Sequence, residues 1–184
     1  MGSNIRLIED SFLDNALPKS TGIESIRVWN IFAKITILAR LQINLPEKFI
    51  FVTEIPVRVS DLNYGGHVGN DSILTLLQEA RTLFYRHLGF ESEIKLEGTV
   101  GQIIADAAIV YRSESFLGDV LVVQIAVADV TKYGFDLFYK ITNKVTGQDV
   151  ALGKTGIVCF DYEKRKVASV PFPLKQKLLT EKEF

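Results

Sequence analysis

The residues best suited to chemistry lie in one ten-residue stretch, DLNYGGHVGN, which runs from Asp61 to Asn70. It contains one aspartate, two asparagines, three glycines and one of the two histidines of the chain. An imidazole can exchange a proton near neutral pH, a carboxylate can orient it, and an asparagine amide can position water or a carbonyl group. The stretch is therefore either a tight turn or a site at which a ligand meets backbone and side chains.

Most of the polar residues and glycines in or near this stretch have two interpretations. His67 is a candidate general base, and otherwise it hydrogen-bonds the loop to the following helix. Asp61 either caps or orients the loop through backbone N–H groups, or it orients the imidazole of His67. Gly65 and Gly66 permit a positive φ and close approach of a ligand, unless they serve a turn only. We interpret the second histidine, His87, as a favourable cation near the end of the predicted helix.

The elements that must position this stretch are a strand and a long helix. The strand-like run KFIFVTEIPVRVS precedes it, and the helix-like run DSILTLLQEARTLFYRHLG follows it. Asp71 or Ser72 can cap the helix, and Gly89 follows its end. The apolar face of the helix comprises Ile73, Leu76, Leu77, Ala80, Phe84 and Leu88. This pattern predicts a largely buried helix.

Four further strand-like runs follow the helix. They are QIIADAAIVYR, DVLVVQIAVADV, GFDLFYKITNK and DVALGKTGIVCFDY. Their separators are short and turn-like, so we expect the strands to pair antiparallel as a meander. One strand, one long helix and four antiparallel strands predict an α+β domain in which a curved sheet wraps around a central helix. A second subunit is expected to bury the other face of such a sheet.

The composition is that of a globular protein. The chain has 184 residues, of which 47% are hydrophobic, and a formal net charge of -1 from 21 basic and 22 acidic residues. Nucleic acid is not an expected partner, because it requires a clearly basic face. Charged residues interrupt every apolar run before the roughly 20 residues that a membrane span needs, so no span is expected. The N-terminus does not resemble a secretory signal, and we expect a cytoplasmic protein.

The single cysteine, Cys159, excludes an internal disulfide, which suits a reducing compartment. It lies among alternating apolar residues of the last long strand-like run. We therefore expect a buried, unreactive thiol.

Residues 1–47 form a predicted N-terminal extension, and residues 48–184 form the main domain. Within the extension, TGIESIRVWNIFAKITILARLQI has apolar residues at helical spacing, and Thr21 could cap its start. Its many β-branched residues also allow a strand. We expect a helix packed on protein. The alternative is a helix on a membrane surface, for which its three basic residues are few.

The order of elements resembles that of the hotdog-fold thioesterases, with RVSDLNYGGHVGN before the helix, QEAR on it and VPFP near the end. It is similar to the branch with 4-hydroxybenzoyl-CoA thioesterase, small acyl-CoA thioesterases and plant acyl-carrier-protein thioesterases, over about residues 49–173. The resemblance implies a hotdog fold, hydrolysis of an acyl-CoA or acyl-carrier-protein thioester, and no cofactor or metal. It also implies a homodimer or tetramer, because the family pairs hotdogs edge to edge.

The family usually reads Asp-x-Asp-x-x-Gly-His-Val-Asn-Asn at this loop. The positions that match are Asp61, Gly66, His67, Val68 and Asn70. The resemblance implies that the substrate-binding positions are Asp61, Gly65, Gly66, Val68 and Asn70. It also implies an oxyanion donor among the backbone N–H groups around His67 to Asn70, where the helix N-terminus adds positive potential.

The departures from the family pattern concern its acids. The catalytic aspartate of the family falls on Asn63, and the acidic position before Glu-Ala-Arg on the helix falls on Gln78. The first asparagine of the family's pair is Gly69, whereas Glu79 matches. The candidate catalytic residues are Asn63, His67, Gln78 and Glu79. Because Gln78 and Glu79 lie on opposite flanks of the apolar helix face, we expect at most one of them to face the loop.

Two functions remain open at this point. One is an acyl-CoA or acyl-carrier-protein thioesterase in which His67 or Glu79 activates water, because an asparagine is not a base. The other is a hotdog module that binds an acyl thioester or a protein partner without turnover. The amides of Asn63 and Gln78 favour the second function, because they keep the shape of a carboxyl group and remove proton transfer.

Overall fold

The computed structural model of the protein describes residues 41–183. Apart from Leu41, these residues belong to one compact unit that begins at Gln42. The predicted N-terminal helix lies outside the described residues. The division of the chain after residue 47 stays a prediction.

Within residues 41–183 the chain forms six strands and two α-helices. In chain order they are β1 (Phe51–Pro56), α1 (Asn70–His87), β2 (Val100–Tyr111), β3 (Val120–Ala128), β4 (Gly134–Asn143), β5 (Asp149–Asp161), β6 (Lys166–Val167) and α2 (Phe172–Glu183). A short 3₁₀ turn, Val59–Asp61, follows β1. The predicted α+β order from β1 to β5 is confirmed, and β6 and α2 are additional.

The six strands form one antiparallel sheet in the order β1-β3-β4-β5-β2, with β6 beside the end of β5. The expected meander is correct for β3, β4 and β5 and wrong for β2. Strand β2 pairs with β5, where Val100 lies opposite Asp161 and Tyr111 lies opposite Ala151. The reason is that β1 occupies the place beside β3, with Phe51 opposite Ile125. Because α1 lies between β1 and β2 in the chain, it can carry β2 to the opposite edge.

One face of the sheet packs on α1. All six residues of the predicted apolar face of the helix are buried. Strand β4 shows the matching period of two, because Phe135, Leu137, Tyr139 and Ile141 are buried and the residues between them are half-buried. The helical and strand periodicities of the sequence therefore predict the core correctly.

Helix α1 begins earlier than its polar residues suggested. Its N-cap is Gly69 in an extended conformation, so capping by Asp71 or Ser72 is wrong. The backbone N–H of Gly69 donates to the Asp61 carbonyl at 2.9 Å, and this bond fixes where the chain turns into the helix. At the other end Gly89 has a φ of +82°, which suits the residue just after a helix.

A polar network joins the middle of α1 to β2. The Arg81 side chain is buried, and its Nε donates to Glu93 Oε2 at 2.8 Å. The same oxygen accepts from Gln102 Nε2 at 2.8 Å, and the side-chain Oε1 of Gln102 accepts from the Tyr85 hydroxyl. Arg81 of the QEAR motif therefore serves the fold, because its charge is compensated inside the protein.

Two further expectations concern the thiol of Cys159 and membrane-spanning helices. Cys159 is fully buried in β5, and burial raises the pKa of its thiol to about 11. The prediction of a buried thiol is confirmed. No helix among residues 41–183 is long and apolar enough to cross a membrane.

Glu93→Ala should lower the free energy of unfolding by about 3 kcal/mol, because the Arg81 guanidinium stays buried without its carboxylate. Urea unfolding followed by circular dichroism measures the change. The matched control is Glu91→Ala, since Glu91 pairs with Lys95 at 3.9 Å on the surface. That control should cost less than about 1 kcal/mol. Equal effects of the two substitutions would show that the buried network does not stabilise the fold.

Candidate functional site

The stretch from Asp61 to Asn70 is folded on itself by backbone hydrogen bonds. The N–H of Asn63 donates to the His67 carbonyl at 2.9 Å, and the N–H of Gly69 donates to the Asp61 carbonyl at 2.9 Å. These bonds make a small antiparallel hairpin between the 3₁₀ turn and α1. The stretch therefore has a defined shape and holds its polar side chains at fixed positions.

The carboxylate of Asp61 binds Arg58. It is buried and accepts hydrogen bonds from the Arg58 backbone N–H at 2.8 Å, from Nε at 3.1 Å and from Nη2 at 3.2 Å. Burial alone would raise the pKa of Asp61, but the hydrogen bonds from Arg58 outweigh it and hold the pKa below its usual value. Of the two roles predicted for Asp61, the structure therefore shows the capping role, on the turn that leads into the loop.

Asn63 and His67 contact each other through their side chains. Asn63 Oδ1 accepts from the Gly65 backbone N–H at 2.8 Å, so its Nδ2 faces the imidazole, 3.1 Å from His67 Nε2. On the other side of the ring, Nδ1 lies 3.4 Å from Glu114 Oε1. Because Nε2 must accept from the amide, the network assigns the proton of the neutral ring to Nδ1.

The two adjacent glycines have different roles. Gly66 has a φ of +79°, as predicted for a glycine in a tight turn. Gly65 does not have a positive φ, so that part of the expectation is wrong. A Cβ at Gly65 would lie 3.1 Å from His67 Cε1, which is tighter than usual packing allows. A larger residue at Gly65 would therefore require the imidazole of His67 to shift slightly.

The end of the loop leads into the first turn of α1. The Val68 side chain is buried in the core. Its backbone N–H donates to the Ser115 carbonyl at 2.9 Å. The carbonyl of Asn70, which is itself exposed, accepts from the Tyr111 hydroxyl at 2.9 Å. The first N–H groups of an α-helix have no acceptor inside the helix, and Gly69 offers no side chain to cap them. This turn can therefore donate hydrogen bonds to a ligand.

Gln78 and Glu79 lie on different sides of α1. Glu79 Oε2 is 3.3 Å from Arg58 Nη2, which links the helix to the turn that holds Asp61. Gln78 is exposed, and its carbonyl accepts from Thr82 Oγ1. Within this chain Glu79 is thus directed towards the loop region, in line with the expectation that at most one of the two faces it.

Two residues at the site were missed by the sequence reading. Arg58 stands three residues before Asp61, a spacing that does signal a local ion pair. Glu114 comes from the turn between β2 and β3, and no spacing in the sequence relates that turn to the loop. Its position depends on the pairing of Val68 with Ser115, which only the folded chain reveals.

A shallow cavity of about 370 Å³ lies at the opposite end of α1. It is lined by Phe49, Ile50, Phe51, Val52, His87 and Gln124. The ring of His87 lies 5.3 Å from that of Phe51. Because this lining is mainly apolar and contains none of the residues of the loop, the cavity does not mark the candidate site.

Asp61→Asn should lower the free energy of unfolding by about 1–2 kcal/mol near pH 7, because the buried carboxylate is replaced by a weaker acceptor for Arg58. The folded-state pKa of Asp61 is lowered, so its contribution is complete above its usual pKa of about 4 and is lost as the pH falls further. Urea unfolding of wild type and Asp61→Asn at several pH values should show that their difference in free energy of unfolding becomes smaller in acid. The control is Asp149→Asn, whose carboxylate pairs with Lys140 at the surface. If the difference in free energy of unfolding did not change with pH, it would not come from the ionised Asp61 carboxylate.

The profile of the Thioesterase-like superfamily matches residues 57–178. A 1,4-dihydroxy-2-naphthoyl-CoA thioesterase from Synechocystis is similar in structure, with a TM-score of 0.65 and 24% identity over 70% of this chain and 95% of that chain. A gentisyl-coenzyme A thioesterase has a TM-score of 0.63 and 18% identity over 70% and 99% of the two chains. A Staphylococcus aureus protein in complex with CoA has a TM-score of 0.67 and 14% identity over 77% and 89%.

At these identities the structural likeness shows a shared fold, the α+β hotdog fold that the sequence predicts. A comparison with curated proteins finds no match. The matched profile, however, spans more than half of the chain and includes the loop, α1 and the five strands from β2 to β6. The chain therefore belongs to the thioesterase-like superfamily.

Proposed function

We propose that this protein hydrolyses an acyl-CoA or acyl-carrier-protein thioester at the loop from Asp61 to Asn70. The observation that carries the proposal is the juxtaposition of three groups. The Asn63 amide and the His67 imidazole belong to one hydrogen-bonded hairpin, which leads directly into the first turn of α1. Membership of the superfamily and the CoA complex of one structural neighbour support a CoA thioester as the ligand.

The reaction requires a polarised carbonyl group and an activated water. Backbone N–H groups at the start of α1 can stabilise the negative charge on the carbonyl oxygen, and the second N–H of the Asn63 amide can join them. Water then adds to the carbonyl carbon, the carbon–sulfur bond breaks, and the sulfur leaves as the thiol after taking up a proton. The products are a carboxylic acid and the free thiol of the carrier.

His67 is the group best placed to take the proton from water. Its Nε2 carries a lone pair in the tautomer that the network assigns, and Asn63 Nδ2 is hydrogen-bonded to that lone pair. Water gains access when the amide turns towards the substrate carbonyl. Glu79 is the second candidate, but Arg58 holds its carboxylate at 3.3 Å. Gln78 has no acid–base role, because an amide does not exchange protons at useful pH.

The second candidate function is an acyl-thioester binding module without turnover. The observation in its favour is that Asn63 occupies the lone pair of His67, which leaves no free base in the hairpin. A panel of acyl-CoAs with a thiol reagent, run beside thermal unfolding, separates the two functions. Release of thiol supports the hydrolase, whereas a raised Tm without thiol release supports the binding module.

A homodimer through β2 is part of the proposal. β2 is an edge strand, and only its beginning is covered, by the Glu93 carbonyl that accepts from Gln102 N–H at 2.9 Å. Further along, Ile104 and Tyr111 are apolar side chains with 40% and 51% of their surface exposed. An exposed edge with apolar side chains favours pairing with another strand. A cytoplasmic location stays a prediction, supported by the buried free thiol of Cys159.

Asn63→Asp should raise kcat/KM for acyl-CoA hydrolysis by about 10²- to 10⁴-fold, because it supplies a positioned general base. Arg58 binds the carboxylate of the neighbouring Asp61, which weakens the repulsion between Asp61 and a second carboxylate at position 63. Medium-chain and aromatic acyl-CoAs are the substrates to assay. His67→Ala and Glu79→Gln are assayed beside it, and loss of the wild-type rate in His67→Ala identifies His67 as the base. A fast wild-type enzyme that Asn63→Asp slows would contradict the mechanism.

Ala107→Pro should convert the dimer into a monomer, as measured by light scattering at micromolar concentration. The N–H of Arg112 donates to Val150 in β5, so strand alternation directs the N–H of Ala107 away from β5 and towards the open edge. Proline removes that donor without removing a bond to β5. Ala107→Ser keeps the N–H and should remain dimeric. A monomeric wild-type protein would refute the proposed interface.

A further inference from the structure

Glu114 lies in the turn between β2 and β3, and hydrogen bonds anchor the residues on both sides of it. The carboxylate of Asp119 accepts from the Ser115 hydroxyl at 2.7 Å and from the Phe116 N–H at 2.8 Å. These bonds, with the Phe116 N–H first among them, hold the pKa of Asp119 below its usual value. On the other side, the Ser113 hydroxyl donates to a carbonyl oxygen at the start of β5 at 2.7 Å. The backbone that carries Glu114 is therefore held in place.

The same turn lies beside the loop that contains His67. The Val68 N–H donates to the Ser115 carbonyl at 2.9 Å, and His67 is paired with Phe116. This pairing brings Glu114 Oε1 to 3.4 Å from His67 Nδ1, just beyond an ordinary hydrogen bond. The two side chains are 56% and 33% exposed, so their contact contributes little to folding stability. We therefore expect the protein to keep its fold when Glu114 is replaced.

The contacts on the two sides of the imidazole favour the same tautomer. With the proton on Nδ1, the ring donates towards the Glu114 carboxylate and accepts from the Asn63 amide. In the opposite tautomer, the Nε2–H would face the N–H of the Asn63 amide, so two donors would meet. On the other side, the lone pair of Nδ1 would face the Glu114 carboxylate, so two acceptors would meet. A flip of the Asn63 amide would relieve this opposition only by giving up the hydrogen bond that its Oδ1 accepts from the Gly65 N–H.

We propose that Glu114 is a positioning residue for His67. It holds the imidazole with the proton on Nδ1, so that the Nε2 lone pair is directed at Asn63 and, once the amide turns, at water. This division of labour is that of a carboxylate behind a catalytic histidine. The part of the inference that concerns catalysis rests on the proposed hydrolase function, whereas the part that concerns the tautomer does not.

The tautomer can be measured without any substrate. Two-bond ¹H–¹⁵N spectra of the full-length protein, labelled with ¹⁵N-histidine and recorded where the ring is neutral, report which nitrogen carries the proton. The chain has two histidines, and His87→Asn assigns their signals. Wild type should show a protonated Nδ1 and an unprotonated Nε2 for His67. Glu114→Ala should raise the fraction with the proton on Nε2 at least about twofold, and the control Glu91→Ala should not. A wild-type proton on Nε2, or an unchanged spectrum in Glu114→Ala, would overturn the proposal.

Kinetics then test whether Glu114 acts through His67. Glu114→Ala should lower kcat/KM by about tenfold or more, mainly through kcat, while Glu91→Ala leaves it unchanged. In a His67→Ala background the same substitution should have no further effect, because the group that it positions is absent. An equal loss in both backgrounds would mean that Glu114 supports the loop in another way. If wild type releases no thiol, the proposed hydrolase function fails and the catalytic part of the inference fails with it, whereas the tautomer measured in the spectra still decides whether Glu114 positions His67.

Discussion

The hydrogen bond from the Gly69 N–H to the Asp61 carbonyl is the constraint on which both the loop and the core depend. It closes the loop, and it also determines the residue at which α1 begins. Successive residues of an α-helix are rotated by about 100°, so a start shifted by one residue would turn the apolar face of α1 away from the sheet. The residue at which α1 begins therefore affects both the candidate site and the packing of Leu76 and Leu77.

The loop also shows how a site can hold several ionisable groups and still have no free base. Asp61 and Glu79 both contact Arg58, and the imidazole of His67 lies between Glu114 and Asn63. Each carboxylate of this group has a polar partner at hydrogen-bond or ion-pair distance. In the proposed hydrolase, proton transfer to His67 therefore requires a rearrangement of the Asn63 amide, which occupies the Nε2 lone pair.

The sequence predicts the parts of the fold that depend on periodicity. The spacing from Ile73 to Leu88 identifies the buried face of α1, and the alternation in β4 identifies its inward residues. Sequence order does not reveal that β2 pairs with β5, because this choice depends on β1 taking the place beside β3. The candidate site likewise combines local contacts, which the sequence predicts, with long-range contacts, which it does not. Asn63 and His67 belong to one local hairpin, whereas Glu114 reaches the imidazole only through pairing between distant segments.

The partial covering of β2 has a consequence for symmetry. Two identical strands that pair antiparallel at their edges are related by a two-fold axis, so each residue's partner is determined by where that axis passes. The Glu93 carbonyl occupies the edge at Gln102, so in the proposed dimer the axis would pass through the remaining part of the strand, from Ile104 to Tyr111. In that dimer the covered beginning of β2 would disfavour slipped registers, and it would shield the edge from indefinite addition of further strands.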